Sequence, residues 1–209
     1  MTSQAEPLKR DPERTRTAIL EAAAEVFADK GFDGSRIALI ATRADVPSGL
    51  LYHYFPSKRA LFDAALNQAF SPHVDRMTAV LSNANAEFDS LERLVREYFK
   101  ILRDNPRLSR IVGWWYACLG WVESPEPAHS IWKIKVAAVG FVERLQQSGA
   151  VRRDADPEGV VLSILALCQH WHMSHGENLH LLKLDKDENP HEVRLNQIVD
   201  FMHRGLRAS

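Results

Sequence analysis

The chain has 209 residues, 45% of them hydrophobic, with 26 Lys and Arg against 27 Asp and Glu for a formal net charge of −1. That length can bury a core without staples, and near-neutrality excludes a polycationic nucleic-acid coat, so any basic contact must be local. Cys118 and Cys168 show no paired spacing, which excludes a disulfide framework and suits a reducing compartment.

The opening stretch MTSQAEPLKRDPERTR holds no apolar run of the kind a secretory signal uses, and residues 1–10 read as a disordered basic arm. Asp11-Pro12-Glu13 is a helix start, with Asp11 as cap and Pro12 in the first turn. Ile19, Ala22, Ala23, Val26 and Phe27 follow as one apolar stripe, and Gly31 is the natural left-handed stop, with Phe32 folding back on the last turn. Ser35 is placed to cap a short second helix carrying Ile37, Ile40, Ala41 and Ala44 inward. Asp45, Val46 and Pro47 break it. A third helix from Ser48 to Phe55 turns Leu51 and Phe55 inward and Ser48, Tyr52 and His53 outward. Pro56 ends that helix, Ser57 caps the next, and Lys58 and Arg59 fall in a first turn whose free N–H groups favour an anion.

Helix, turn and short helix is a geometry that reads duplex DNA, with a helix in the major groove and hydroxyls, a lysine and a helix start on the phosphates. Around it Lys9, Arg10, Arg14, Arg16, Lys30, Arg36 and Arg43 outnumber the acids. The run Ala44-x-Val46-x-x-Gly49-x-Leu51-Tyr52-His53-Tyr54-Phe55-x-x-Lys58-x-x-Leu61 resembles the signature of the tetracycline-repressor (TetR) family of transcriptional regulators. The resemblance covers about the first third of the chain, and it implies a three-helix DNA-binding domain followed by a helical ligand-binding and dimerisation domain.

Carried over by position, the resemblance makes Tyr52 and Lys58 phosphate contacts, and makes Gly49 the place where a missing side chain lets the helix approach the backbone. It sets His53 and Tyr54 in an aromatic pair, one reaching outward while the other packs. It implies a phosphate contact for Ser35 and a base or phosphate contact for Arg36. Ser48 and Leu50 complete the expected DNA-facing set, although both depart from the family's pattern: Ser48 replaces a frequent lysine, and Leu50 a frequent threonine. Pro47 stands where a Ser or Thr cap is usual, so Ser48 is the expected substitute cap. Asp45 replaces a turn glycine and must visit the left-handed region.

Beyond residue 70 every segment reads helical, and no stretch alternates at strand spacing. The expected fold is therefore all-α, with about nine helices in all. Its parts are the arm at 1–10, a DNA-binding domain at 11–70, and a helical body at 71–209. Ser71-Pro72 is expected to bend or restart the fourth helix. Body helices are expected at about 73–83, 88–103, 106–119, 127–148, 156–175 and 190–207, with 185–190 as an exposed charged linker. The longest apolar run, Ile111 to Val122, is too short to span a bilayer and contains Gly113 and Gly120, so no membrane partner is expected.

The last two helices are apolar over broad faces, with Val161 and Leu165 on one and Ile198, Phe201 and Met202 on the other. Periodicity alone leaves open whether those faces pack within a subunit or between two. The resemblance implies the second, a homodimer meeting a near-palindromic operator. A candidate effector pocket draws on Trp114, Trp115, Cys118 and Trp132, and on His170, Trp171 and Met173, because aromatic walls with a few polar tips suit a small organic ligand. The same aromatics also suit an ordinary core.

Cys168, His172 and His175 fall at i, i+4 and i+7, on one face of one helix. Three side chains from a straight helix seldom converge on one ion, and no fourth ligand is specified, so no metal and no cofactor is assigned. No Ser/His/Asp order, nucleotide loop, HExxH or CxxC supports catalysis. The expected function is thus a cytoplasmic, effector-responsive DNA-binding regulator, a repressor rather than an enzyme; the alternative is a helical small-molecule- or metal-binding protein without DNA function.

Overall fold

The computed structural model describes residues 11–83, 85–119, 130–182, 184 and 188–208, without the side chains of Asn83, Cys118, Leu119 and His175. Three expectations lie outside those residues: the basic arm at 1–10, the start near 127 of the helix expected at 127–148, and residues 185–187 of the linker. The described residues are all-α, and the chain divides into two compact units between Ala69 and Phe70.

In the first unit, α1 (Pro12–Gly34) begins as its residues dictate: the Asp11 carboxylate accepts from the Glu13 N–H at 3.0 Å, with Pro12 in the first turn. Its apolar stripe is interior, with Ile19, Ala23 and Phe27 fully buried. Near its end Gly31 adopts φ 71° and ψ 178°, a backbone region essentially reserved for glycine. The reversal lets Phe32 stack on Phe27 at 6.1 Å and meet Phe62 edge-on at 5.6 Å. Two seven-residue helices follow, α2 (Ile37–Arg43) and α3 (Ser48–Tyr54), α2 packing on α1 and α3 on α2.

The fourth helix, α4 (Lys58–Asn83), starts where the Ser57 hydroxyl accepts from the Ala60 N–H at 3.0 Å. Pro72 lies inside this helix, so of the bend or restart expected there the restart is not what the chain does. A proline ring removes one N–H and crowds the carbonyl four residues back, a local cost that a long helix with buried residues on both sides absorbs. Phe70, Met77 and Leu81 are those buried residues beyond the boundary.

The second unit continues with α5 (Phe88–Asp104), α6 (Pro106–Trp114), α7 (Ser130–Gln147), α8 (Pro157–Asn178) and α9 (Pro190–Leu206). After Trp114 the winding loosens into a π turn, Trp115–Leu119, where the sequence reads as plain α-helix. Helix α8 is the hub, packing on α5, α6, α7 and α9. Asp156 caps it by accepting from the Gly159 N–H at 2.7 Å, and Asn189 caps α9 through the His191 N–H at 2.9 Å. Gly149, at φ 78°, turns the chain after α7, and Arg152 N then donates to Leu206 O at 2.9 Å, tying the α7 exit to the end of α9.

Replacing Gly31 by alanine forces a β-carbon into φ 71°, and the variant is expected to lose about 1 to 3 kcal/mol of stability. Urea unfolding of the two proteins measures it, and an unchanged midpoint would show that the reversal carries no strain.

Candidate nucleic-acid interface

The turn between α2 and α3 is fixed by backbone. Asp45 sits at φ 54°, as its place in the motif requires, and Val46 N returns to Ala41 O at 3.0 Å. Pro47 is extended at φ −62°, ψ 140° and occupies the cap position of α3, which carries no side-chain cap bond. Ser48 is therefore the first helical residue rather than the cap its sequence suggested.

Helix α3 is sharply two-faced. Leu51 and Phe55 are buried, whereas Ser48, Gly49 and His53 are exposed, Leu50 and Tyr54 half-buried, and Tyr52 is 57% exposed. His53 and Tyr54 meet edge-on at 5.6 Å, so Tyr54 is the packing member of the pair and His53 the outward one. A β-carbon built on Gly49 meets nothing within 4 Å, so the fold itself has no need for glycine there.

Lys58 opens α4 beside this face. Its ammonium lies 4.7 Å from the Phe32 ring centroid and donates to the Asp33 carbonyl at 3.4 Å, which steers a flexible side chain without neutralising it. Arg36 is exposed at the start of α2, and Arg59 is held by Asp63 at 2.8 Å. Ser35 departs from expectation. It is buried, and its hydroxyl points back to the Gly31 carbonyl at 2.5 Å and the Val26 carbonyl at 3.2 Å. A hydroxyl committed to two interior carbonyls neither caps α2 nor reaches a phosphate.

In the second unit the expected pocket residues scatter. Trp171 is buried in the core, its indole N–H donating to His191 Nδ1 at 3.0 Å. Trp115 is buried against the π turn and Trp132 is an exposed surface residue, while the Cys118 side chain lies outside the described residues. Trp114 and Met173 border one groove, and His170 and Met173 a second. Cys168 is buried, which pushes its thiol up to about 12, and His172 meets Phe99 at a tilt at 4.5 Å and stacks on His191 at 5.8 Å. What sequence reasoning missed is an apolar slot of about 60 Å³ among α4, α5, α7 and α8, with Lys135 in its wall. The available signal was Ile131, Lys135, Ala138 and Val142, one helical stripe that is apolar except for the lysine.

Of the expected interface residues, Val161, Ile198 and Met202 are buried within the subunit and Leu165 is half-buried, while Phe201 is 66% exposed. Leu162, next to Val161, is 57% exposed on α8. Among the described residues no helix is long and apolar enough to cross a membrane.

Residues 19–65 match the family model described as bacterial regulatory proteins, tetR family. The HTH-type transcriptional repressor SCO4008 of Streptomyces coelicolor is 30% identical over 164 residues, covering 78% of this chain and 80% of that protein. In structure, the transcriptional regulator SCO4942 of Streptomyces coelicolor superposes with a TM-score of 0.69 at 19% identity over 93% of this chain and 99% of its own. The regulator FadR of Bacillus subtilis, in complex with stearoyl-CoA, gives a TM-score of 0.67 at 18% identity, over 89% of this chain and 96% of its own.

Because Gly49 is helical, exposed and unobstructed, Gly49→Ala is expected to stabilise the protein by about 0.5 to 1 kcal/mol. Chemical denaturation checks this, and a loss of stability would mean that the fold itself requires the glycine.

Proposed function

Since the chain belongs to the tetR family of bacterial regulatory proteins, we propose that it is a cytoplasmic transcriptional repressor that binds a near-palindromic operator as a homodimer and is released by a small organic effector. The observation that carries the DNA half is the outward face of α3. Tyr52 and His53 stand free beside a glycine that nothing in the chain requires, while Leu51 and Phe55 anchor the opposite face. A bare helix surface admits a sugar-phosphate backbone to contact distance, and the Tyr52 hydroxyl and Lys58 ammonium supply a hydrogen bond and a charge for it. Leu50, half-buried on the same helix, offers an apolar edge suited to a thymine methyl rather than to a polar base edge. Ser35 drops out of the contact set, being committed inside.

The dimer half is supported by exposed apolar side chains on the two terminal helices, Leu162 on α8 and Phe201 on α9. Val161, Ile198 and Met202 back that surface from within the subunit. A twofold pair sets two α3 helices against half-sites about 34 to 36 Å apart or a multiple of it. The effector half is supported by the apolar slot in the helical body and by the FadR relative in fold, whose structure holds stearoyl-CoA.

Fluorescence anisotropy of the chain with its own upstream DNA tests the interface. Tyr52→Ala and Lys58→Ala are each expected to weaken binding by about ten-fold or more, and Lys58→Ala to reduce the salt slope by about one. Gly49→Ala weakens binding in the same assay while gaining stability. Full affinity in all three variants would remove α3 from the duplex. For assembly, Phe201→Glu is expected to convert the sedimenting species from dimer to monomer; a wild-type monomer, or a variant that still pairs, would refute the terminal-helix interface.

A further inference from the structure

Lys135 stands out in the second unit as a cation that no carboxylate of the described residues pairs with. Its ammonium lies 5.6 Å from the Trp115 ring centroid and 5.0 Å from that of Tyr116, and burial lowers its affinity for a proton with no acidic group opposing that effect. Lysines in such surroundings are ordinarily paired or reach to water with their charged ends.

Its position is the second observation. Lys135 and Leu165 line both the apolar slot, whose other walls include Leu94, Tyr98 and Phe141, and an open groove of about 680 Å³ bordered by Gly113, Tyr116, Leu162 and Met173. The ammonium therefore stands where an apolar cleft meets a wider mouth. Around it the groove's polar side chains are the Tyr116 phenol, the Gln169 amide and the His170 imidazole. Burial pushes the Tyr116 phenol up to about 12, and burial and its neighbours raise the Tyr98 phenol well above its ordinary value, so both keep their protons at neutral pH.

The geometry points to a binding site for an organic monocarboxylate, with the carboxylate on the Lys135 ammonium beside the paired Trp115 and Tyr116 rings and a hydrocarbon or aryl tail in the apolar slot. One ammonium answers one negative charge. A phosphate dianion would leave half its charge uncompensated in a low-dielectric wall, since neither cavity is lined by another lysine or by an arginine. The tail term is apolar because the slot presents no charged group except Lys135 itself. This inference rests on the body being the effector-binding part of the regulator, and it names the chemical class of the effector.

The test is isothermal titration of the full-length protein with n-octanoate, benzoate, 1-octanol and n-octylamine, beside Lys135→Met and Lys135→Arg. Octanoate is expected to bind wild type at least about ten-fold more tightly than octanol, the difference one charge-assisted hydrogen bond makes, and octylamine least. Lys135→Met is expected to bring octanoate down to the octanol level while octanol binding persists, which shows the cavity still formed; Lys135→Arg keeps the preference. Should octanol match octanoate in wild type, should Lys135→Met keep the preference, or should neither carboxylate bind, the proposal is overturned. Operator binding is followed in parallel. Octanoate binding that needs Lys135 but leaves the operator complex intact upholds the carboxylate site and defeats effector-controlled release instead.

Discussion

Gly31 reverses the chain at the end of α1, and the rest of the N-terminal unit depends on that reversal. With φ at 71° and ψ at 178°, the next residue, Phe32, returns across the face of α1 instead of leaving it. Phe32 then closes a three-ring cluster with Phe27 and Phe62, the latter pair edge-on at 4.9 Å. Fully burying a phenylalanine ring is worth about 1.5 to 3 kcal/mol, and Phe27 and Phe62 are fully buried with Phe32 half-buried against them, so the cluster holds the turn and the turn permits the cluster. The Gly31 carbonyl also accepts the Ser35 hydroxyl, which fixes where α2 can begin. Lys58, laid over the Phe32 ring, places the start of α4 by the same cluster.

From that constraint the proposed DNA contact inherits its precision. A seven-residue helix is too short to persist alone in water, so α3 exists because Leu51 and Phe55 are buried under it. Once two side chains supply that anchorage, the others are free of structural duty and can be chosen for what lies outside. Tyr52 and Gly49 show the consequence from opposite directions, one a large side chain with no interior partner, the other an absent side chain with no interior reason.

Much of this unit was legible because its signals are local. Asp11, Gly31, Asp45 and Ser57 each impose a backbone state or accept from an N–H within a few residues, and such choices survive whatever the tertiary structure does. Ser35 was misread because a hydroxyl beside a helix start can serve the N–H groups ahead or the carbonyls behind; the buried floor beneath it, the Gly31 and Val26 carbonyls, decides, and that floor is a tertiary fact. The helix runs on through Pro72 for a related reason, since a proline's cost is fixed but the burial that outweighs it is not written beside it. In the body the tryptophans drew attention by size alone. Trp171 proved to be a core beam bonded to His191, and Lys135, the informative residue, is visible only as one polar break in the apolar stripe of α7.

The same lysine bears on how an effector could work at all. A ligand shifts a two-state equilibrium only by the difference in its affinity for the two states, and moving one from 1:99 to 99:1 takes about 5.5 kcal/mol. A single charge-assisted hydrogen bond supplies about 1.5 to 3 kcal/mol of that, so the carboxylate on Lys135 cannot do it alone. The remainder must come from the tail, and at about 0.8 kcal/mol per buried methylene it needs roughly three to five carbons out of water. The slot of about 60 Å³ meets the groove of about 680 Å³ at Lys135 and Leu165, so a tail longer than the slot has the groove's apolar wall to lie against. The ligand moves the equilibrium only if one state offers the tail more of that wall than the other. Head group and tail then have separate tasks: the ammonium selects which molecules enter, and the difference in wall offered to the tail determines how far the equilibrium moves.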